Sequence, residues 1–289
     1  MNKQTPDSRR SGTILTAVRP EGDLTALERA GQIAKAFSLP LRIETIMDEE
    51  TTKAVLAAAE DALRKAAGEI LPDGVEASFG VRRLAPQFSD EGFGTAAMLL
   101  DTARVQDIAM VVLNKPTGKK SFGKTMVEKL LRLTRLPVLT VDGDSRFPYE
   151  GVLAGVDFGN CAAAVVDSAL LWAPGANWSF VHAYDPVLRR VQADIARAEG
   201  LQLAEEEMSN LIERQAMLSV AQEGYVDRFS AHIEDGTPRD VIARHLEDET
   251  PDLLVLGGHG RSGFASAILG SCVSTFIERA ACDVMIVRG

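Results

Sequence analysis

Apolar runs of strand length alternate along this chain with stretches where small and apolar residues recur at helical spacing. The run Thr13-Ile14-Leu15-Thr16-Ala17-Val18 is followed by a polar turn and then by Leu24, Leu27, Gly31 and Ala34, a pattern that predicts a strand and an amphipathic helix. Much later, Val152-Leu153-Ala154-Gly155-Val156 is followed by another polar turn and by Ala162, Val165, Val166, Ala169 and Leu170. The correspondence continues. Second strands are expected at 41–46 and 178–183, and longer helical regions at 54–67 and 204–221. Apolar runs follow at 108–113 and 253–256, and each half closes on a strand, at 137–141 and 284–287. The chain is thus an internal repeat. Strands alternating with helices imply parallel sheets joined by right-handed crossovers, and near-continuous apolar strands imply that both sheet faces are covered. The expected fold class is α/β, with two tandem doubly wound, Rossmann-like domains. The segment Asp142-Gly143-Asp144-Ser145-Arg146-Phe147-Pro148-Tyr149 is rich in turn formers and reads as the linker, placing the domains at 1–143 and 150–289.

Composition supports this division and narrows the partners. At 289 residues each half is large enough to bury its own core. A hydrophobic fraction of 46% with 25% charged residues is that of an ordinary soluble globular protein. A net charge of -10 and a pI near 5.0 argue against a nucleic-acid partner, because phosphate backbones are bound by excess Lys and Arg. Cys161, Cys272 and Cys282 form no C-x-x-C pair and lie among apolar or small residues, which fits a reducing compartment. The polar stretch 1–12 has no apolar segment behind it of secretory-signal length. Every long apolar run is broken by charge or proline, so no membrane span is expected and the expected location is the cytoplasm.

The segment richest in candidate chemistry is Gly257-Gly258-His259-Gly260-Arg261-Ser262-Gly263, with Gly270-Ser271 after it. It follows the apolar run 253–256 and precedes a predicted helix through Val273, Ile277 and Ala280, so it reads as a glycine-rich loop between a buried strand and a helix N-terminus. Such loops admit positive φ and bring backbone N–H groups close to an anion. Glycines there also simply make tight turns. Elsewhere the residues offer little catalysis: His182, His232, His245 and His259 show no metal-ligand spacing, no G-x-S-x-G elbow marks a nucleophile, and no general base is identifiable, so no catalytic residue is assigned. Glu205-Glu206-Glu207 reads as a solvated helix face. In the first half, Gly118-Lys119-Lys120-Ser121-Phe122-Gly123-Lys124-Thr125 matches G-x4-G-K-T, and taken literally Lys124 would reach β- and γ-phosphates while Thr125 held Mg²⁺. It follows the fourth strand rather than the first and leaves no room for an NTPase core. The segment is better read as a basic loop in which Gly123, Lys124 and Thr125 form a second anion site.

Taken with its setting, the glycine loop resembles that of the universal stress protein family. Gly257, Gly260, Gly270 and Ser271 meet G-x2-G-x9-G-S, a closing strand follows at 282–287, Val152 to Asp157 resembles the family's first strand with its acidic end, and Glu234-Asp235-Gly236-Thr237-Pro238 resembles the turn into its third helix. The resemblance spans nearly the whole chain as a tandem arrangement, by motif in the second half and by architecture in the first. It implies a stress-response protein with an ATP site at the carboxyl ends of the second half's strands, with Mg²⁺ as an accompanying ion. Asp157 would meet the adenosine part, and backbone at His182 and Ala183 would flank the base. Amides of Gly257, Gly260, Ser271 and Cys272, the Ser271 hydroxyl, Gly270, and Arg261 and Ser262 would serve the phosphates. In the first half Arg19 stands at the place of Asp157 and cannot accept a hydrogen bond from ribose, and Asn114-Lys115-Pro116-Thr117 replaces Gly257-Gly258-His259-Gly260. The resemblance further implies that closing strands pair, giving a pseudo-dimer within the chain and leaving a homodimer open. The expected function is a regulatory or adaptor protein binding adenine nucleotide; the alternatives are a scaffold without nucleotide, or a slow ATPase using 118–125.

Overall fold

A computed structural model describes residues 11–85, 93–116, 122–184, 194–218, 226–258 and 271–289, with only the backbone described at Phe93, 122–125, 194–199, Leu218, Val226 and Ser271. The chain divides into two compact units, 1–143 and 144–289. The first contains β1 (Thr13–Ala17), α1 (Thr25–Phe37), β2 (Leu41–Met47), α2 (Lys53–Ile70), β3 (Ala77–Arg83), α3 (Phe93–Val105), β4 (Ile108–Asn114), α4 (Phe122–Leu133) and β5 (Val138–Val141). The second contains β6 (Gly151–Gly155), α5 (Ala162–Trp172), β7 (Asn177–Tyr184), α6 (Asp194–Leu218), β8 (Phe229–Asp235), α7 (Pro238–Glu249), β9 (Leu253–Gly257), α8 (Ser271–Arg279) and β10 (Asp283–Val287).

In the first unit the parallel strands run β3-β2-β1-β4-β5, and in the second β8-β7-β6-β9-β10. Each order reverses direction once, between β1 and β4 or between β6 and β9. Parallel crossovers keep one hand, so helices made before and after the reversal fall on opposite faces; α1 accordingly packs with α2 and α3 with α4, and α5 packs with α6. Strands β9 (Leu253, Leu254, Val255, Leu256) and β10 are buried along nearly all their length. Buried on both faces, they have no polar side to show. The sheet edges β3 and β8, by contrast, are largely half-buried or exposed. Helix α7 begins as its sequence dictates: the Thr237 side chain accepts from the Asp240 amide at 3.3 Å and Pro238 takes the first turn, where a missing N–H costs nothing. Helix α6 begins at Asp194, earlier than its apolar spacing from 204 indicates, because its first turns are polar and small. The segment from Asp144 to Tyr149 belongs to the second unit: the Tyr149 hydroxyl donates to buried Asp283 at 2.7 Å, and the Asp283 amide donates to Ser145 Oγ at 2.8 Å.

Both units bury charge beneath the edge strand. In the first, Glu44 is 1% exposed, bonded by Arg42 at 2.8 Å and Arg82 at 3.0 Å, and Arg82 also donates to Thr102 of α3 at 2.7 Å. A side chain at Gly80 would run into Arg42 and Glu44, so glycine makes room for the triad. In the second unit the centre is His245 of α7, bonded through Nε2 to Glu234 at 2.7 Å and through Nδ1 to Glu249.

Candidate functional site

In an open parallel sheet the helices on either side of the order reversal part from each other, and the crevice they leave lies beyond the carboxyl ends of the two flanking strands. In the second unit those strands are β6 and β9, ending at Gly155 and Gly257. Three side-chain positions define the crevice. Asp157, half-buried, follows β6, and its Oδ1 accepts from the Gly159 amide at 2.9 Å. His182, 6% exposed, sits near the end of β7, with Nδ1 2.7 Å from the Val156 carbonyl. A carbonyl only accepts, so Nδ1 carries the proton. Gly257 ends β9, where an added Cβ would lie 2.8 Å from Cys161 Cβ.

The β6 ladder with β7 stops at Gly155 opposite Val181, while β7 runs on to Tyr184 alongside β8. The β6-facing edge of 182–184 therefore borders the crevice above Asp157, which is where backbone at His182 and Ala183 was expected to flank a base. On the β9 side, the Gly258 amide donates to the Val287 carbonyl at 2.8 Å, which anchors the start of the glycine loop to the closing strand. Gly260, Arg261, Ser262 and Gly270 lie outside the described residues. Helix α8 starts at Ser271, so the backbone of Ser271 and Cys272 opens its first turn. Burial pushes the Cys272 thiol up to about 11, against the opposing charge of Arg239, so at neutral pH it is a thiol and adds no negative charge beside a helix N-terminus.

The same register positions in the first unit carry different chemistry. Ile14 pairs with Leu41 as Val152 pairs with Trp178, which sets Thr45 opposite His182, and Thr45 Oγ1 donates to the Val18 carbonyl at 2.7 Å just as His182 does to Val156. Met110 pairs with Ile14 as Leu253 pairs with Val152, which sets Asn114 at the place of Gly257. The Asn114 side chain accepts from the Ala26 amide at 2.6 Å and donates to the Asp23 carbonyl. It thus spans from β4 to the start of α1, whereas Gly257 carries no side chain and lies directly against Cys161 at the start of α5. Next to it, Lys115 pairs with Asp142 at 2.8 Å. Arg19, at the place of Asp157, pairs with Asp48 at 3.4 Å. Gly118 lies outside the described residues; Gly123, Lys124 and Thr125 fall in the first turn of α4 as backbone only. Away from both crevices, a cavity of about 400 Å³ opens at the amino ends of β6, β7 and β8 beside Trp178, Ser179, Arg228 and Glu249. Its Trp178 indole donates to the Ala169 carbonyl at 3.2 Å and is covered by Arg228, so its largest side chain is already engaged.

Two parallel α/β units, the second with Gly257 and Gly258 at the end of the strand beside its order reversal, define a Rossmann-like tandem protein, and known proteins share this architecture. The model of the universal stress protein family matches residues 148–288. A universal stress protein from Thermus aquaticus is 32% identical over 129 residues, covering 44% of this chain and 88% of that protein. The chain belongs to the universal stress protein family. A shorter stretch, 73 residues, is 32% identical to universal stress protein E of Salmonella typhi and spans 25% of this chain but only 23% of that protein. Among solved structures, a putative universal stress protein from Pseudomonas aeruginosa aligns over 97% of this chain and 94% of its own at TM-score 0.65 and 18% identity. One from Archaeoglobus fulgidus aligns over 96% and 98% at TM-score 0.62 and 17% identity. At those identities the likeness establishes the fold. Among the described residues no helix is long and apolar enough to cross a membrane.

Proposed function

We propose that the second unit binds an adenine nucleotide, ATP, in the crevice between β6 and β9, and that the protein acts as a nucleotide-responsive regulator or adaptor in a stress response. The observation that carries this reading is the placement of Asp157, the edge of β7 and Gly257 around one crevice at the order reversal. Each part suits a different part of the ligand. Asp157 is an acceptor for ribose hydroxyls or an adenine amine. Backbone at His182 and Ala183 borders the base. Gly257 puts no side chain in the path of the phosphates, which the amides of Gly260, Ser271 and Cys272 and the positive end of α8 would meet, with Arg261, Ser262 and Gly270 in the same loop. Among the described residues no three His, Cys, Asp or Glu lie together to hold a metal ion, so Mg²⁺ would arrive on the triphosphate and be held chiefly by its oxygens. The cytoplasmic setting, the pseudo-dimer and a homodimer belong to the same reading.

Mass spectrometry of the protein under native conditions should reveal co-purified adenine nucleotide, and titration should show ATP binding. Gly257→Val should abolish both, by setting a side chain against Cys161 and in the path of the phosphates. Purified protein free of nucleotide that also fails to bind added ATP would leave the scaffold reading.

A further inference from the structure

We infer that Phe158 is a positioning residue for the nucleotide: stacked on His182, it fixes the direction in which Asp157 presents its carboxylate to the crevice. The inference rests on the nucleotide reading above. It begins with the turn Asp157-Phe158-Gly159. When an aspartate side chain accepts from the amide two residues on, it closes an Asx turn, and here Asp157 Oδ1 does so at 2.9 Å. The residue inside that turn is Phe158, at φ 52°. Left-handed backbone at a bulky side chain is unfavourable and persists only where surrounding structure holds it.

What holds it is the imidazole. The Phe158 ring lies 4.4 Å from the His182 ring at a 41° tilt, at the short limit of favourable aromatic contact. His182 is itself fixed, buried and bonded through Nδ1 to the Val156 carbonyl at 2.7 Å. A continuous chain of contacts thus runs from the end of β6 through both rings to the turn, and from the turn to the Asp157 carboxylate. The first unit shows that the carbonyl alone does not require histidine, because Thr45 makes the equivalent bond at 2.7 Å. The histidine adds a ring face. That ring face, the aromatic residue and the acid occur together in the second unit, whereas the first has Thr45, Pro20 and Arg19 in their places. The three residues accompany the glycine at 257.

Titration calorimetry on the full chain tests this, using ATP and, as a probe of the phosphate end alone, inorganic tripolyphosphate. Phe158→Ala and Phe158→Leu should each weaken ATP about ten-fold to a hundred-fold, the range for losing a hydrogen bond to a charged group, and leave tripolyphosphate unchanged. Phe158→Tyr, which keeps the ring, should restore ATP affinity. In an Asp157→Ala background, Phe158→Ala should cost nothing more, because the residue it positions is gone. Losses that add in the double variant, or an equal loss for tripolyphosphate, would overturn the inference while leaving the nucleotide site standing. Failure of the unaltered protein to bind ATP would overturn the nucleotide reading itself.

Discussion

Asn114 and Gly257 answer one question differently: what fills the space between the fourth strand of a unit and the start of its first helix. Asn114 fills it with an amide that satisfies an orphan N–H of the first turn of α1. Gly257 puts no side chain there, because Cys161 Cβ stands too near for one. Exchanging the two should therefore harm both. Asn114→Gly should lower the unfolding free energy by about 1–3 kcal/mol, through the unsatisfied Ala26 amide. Gly257→Asn should cost about 1–3 kcal/mol through overpacking against Cys161, both measured by urea unfolding. An Asn114→Gly protein as stable as the parent would mean that the amide bond contributes nothing. This contrast was legible in the sequence, since both residues follow matched apolar runs. The roles of His182 and Phe158 were not. A histidine in a strand shows no spacing that announces which carbonyl its ring will meet, and the stack depends on a backbone angle that sequence pattern does not encode.

At the scale of elements, apolar patterning revealed the buried strands and missed the two edges. Strands β3 and β8 carry Ser78, Arg82, Arg83, Ser230, His232 and Glu234, and a strand covered on one face shows a weaker signal than one covered on both. Arg82 joins the charged cluster of the first unit, and Glu234 and His232 that of the second; only the second cluster contains histidine, since all the chain's histidines fall in that half. Burial alone would lower the His245 pKa, but its hydrogen bonds to Glu249 and Glu234, and their charges, raise it above 6.5. Burial would likewise raise Glu234; the bond and charge of His245, with Arg244 and His232, lower it below 4.5. The sign follows for each. A raised histidine contributes stability in full below its ordinary value and loses it as pH rises through the raised value, while a lowered carboxylate contributes above 4.5 and loses it as pH falls through the lowered value. The edge of the second unit should thus be firmest from about pH 5 to about pH 6.5 and loosen in alkali. The unfolding temperature should drop between about pH 6 and about pH 9, and His245→Gln should remove most of that drop while costing about 1–3 kcal/mol at the lower pH. An unchanged slope in His245→Gln would place the alkaline loss elsewhere.

For the whole molecule, one duplicated architecture carries two differently furnished crevices, and that difference sets a stoichiometry. Arg19, Asn114 and the Lys115–Asp142 pair occupy the first unit's counterpart of the crevice, whereas Asp157, His182 and Gly257 stand at those places in the second. Duplication explains the shared strand order and the shared hydrogen bond from the second strand to the end of the first. It does not require shared ligands, because a site depends on a few side chains that the core does not constrain. Calorimetric titration with ATP should therefore give one nucleotide per chain, and Gly257→Val should abolish all of the heat. Lys124→Ala should leave both the affinity and any slow hydrolysis as they were, since the proposed site does not include the segment 118–125. Two nucleotides per chain, one of them lost in Lys124→Ala, would instead make the lysine-rich loop of the first unit a phosphate site in its own right, and a fall in hydrolysis with that variant would revive the ATPase reading.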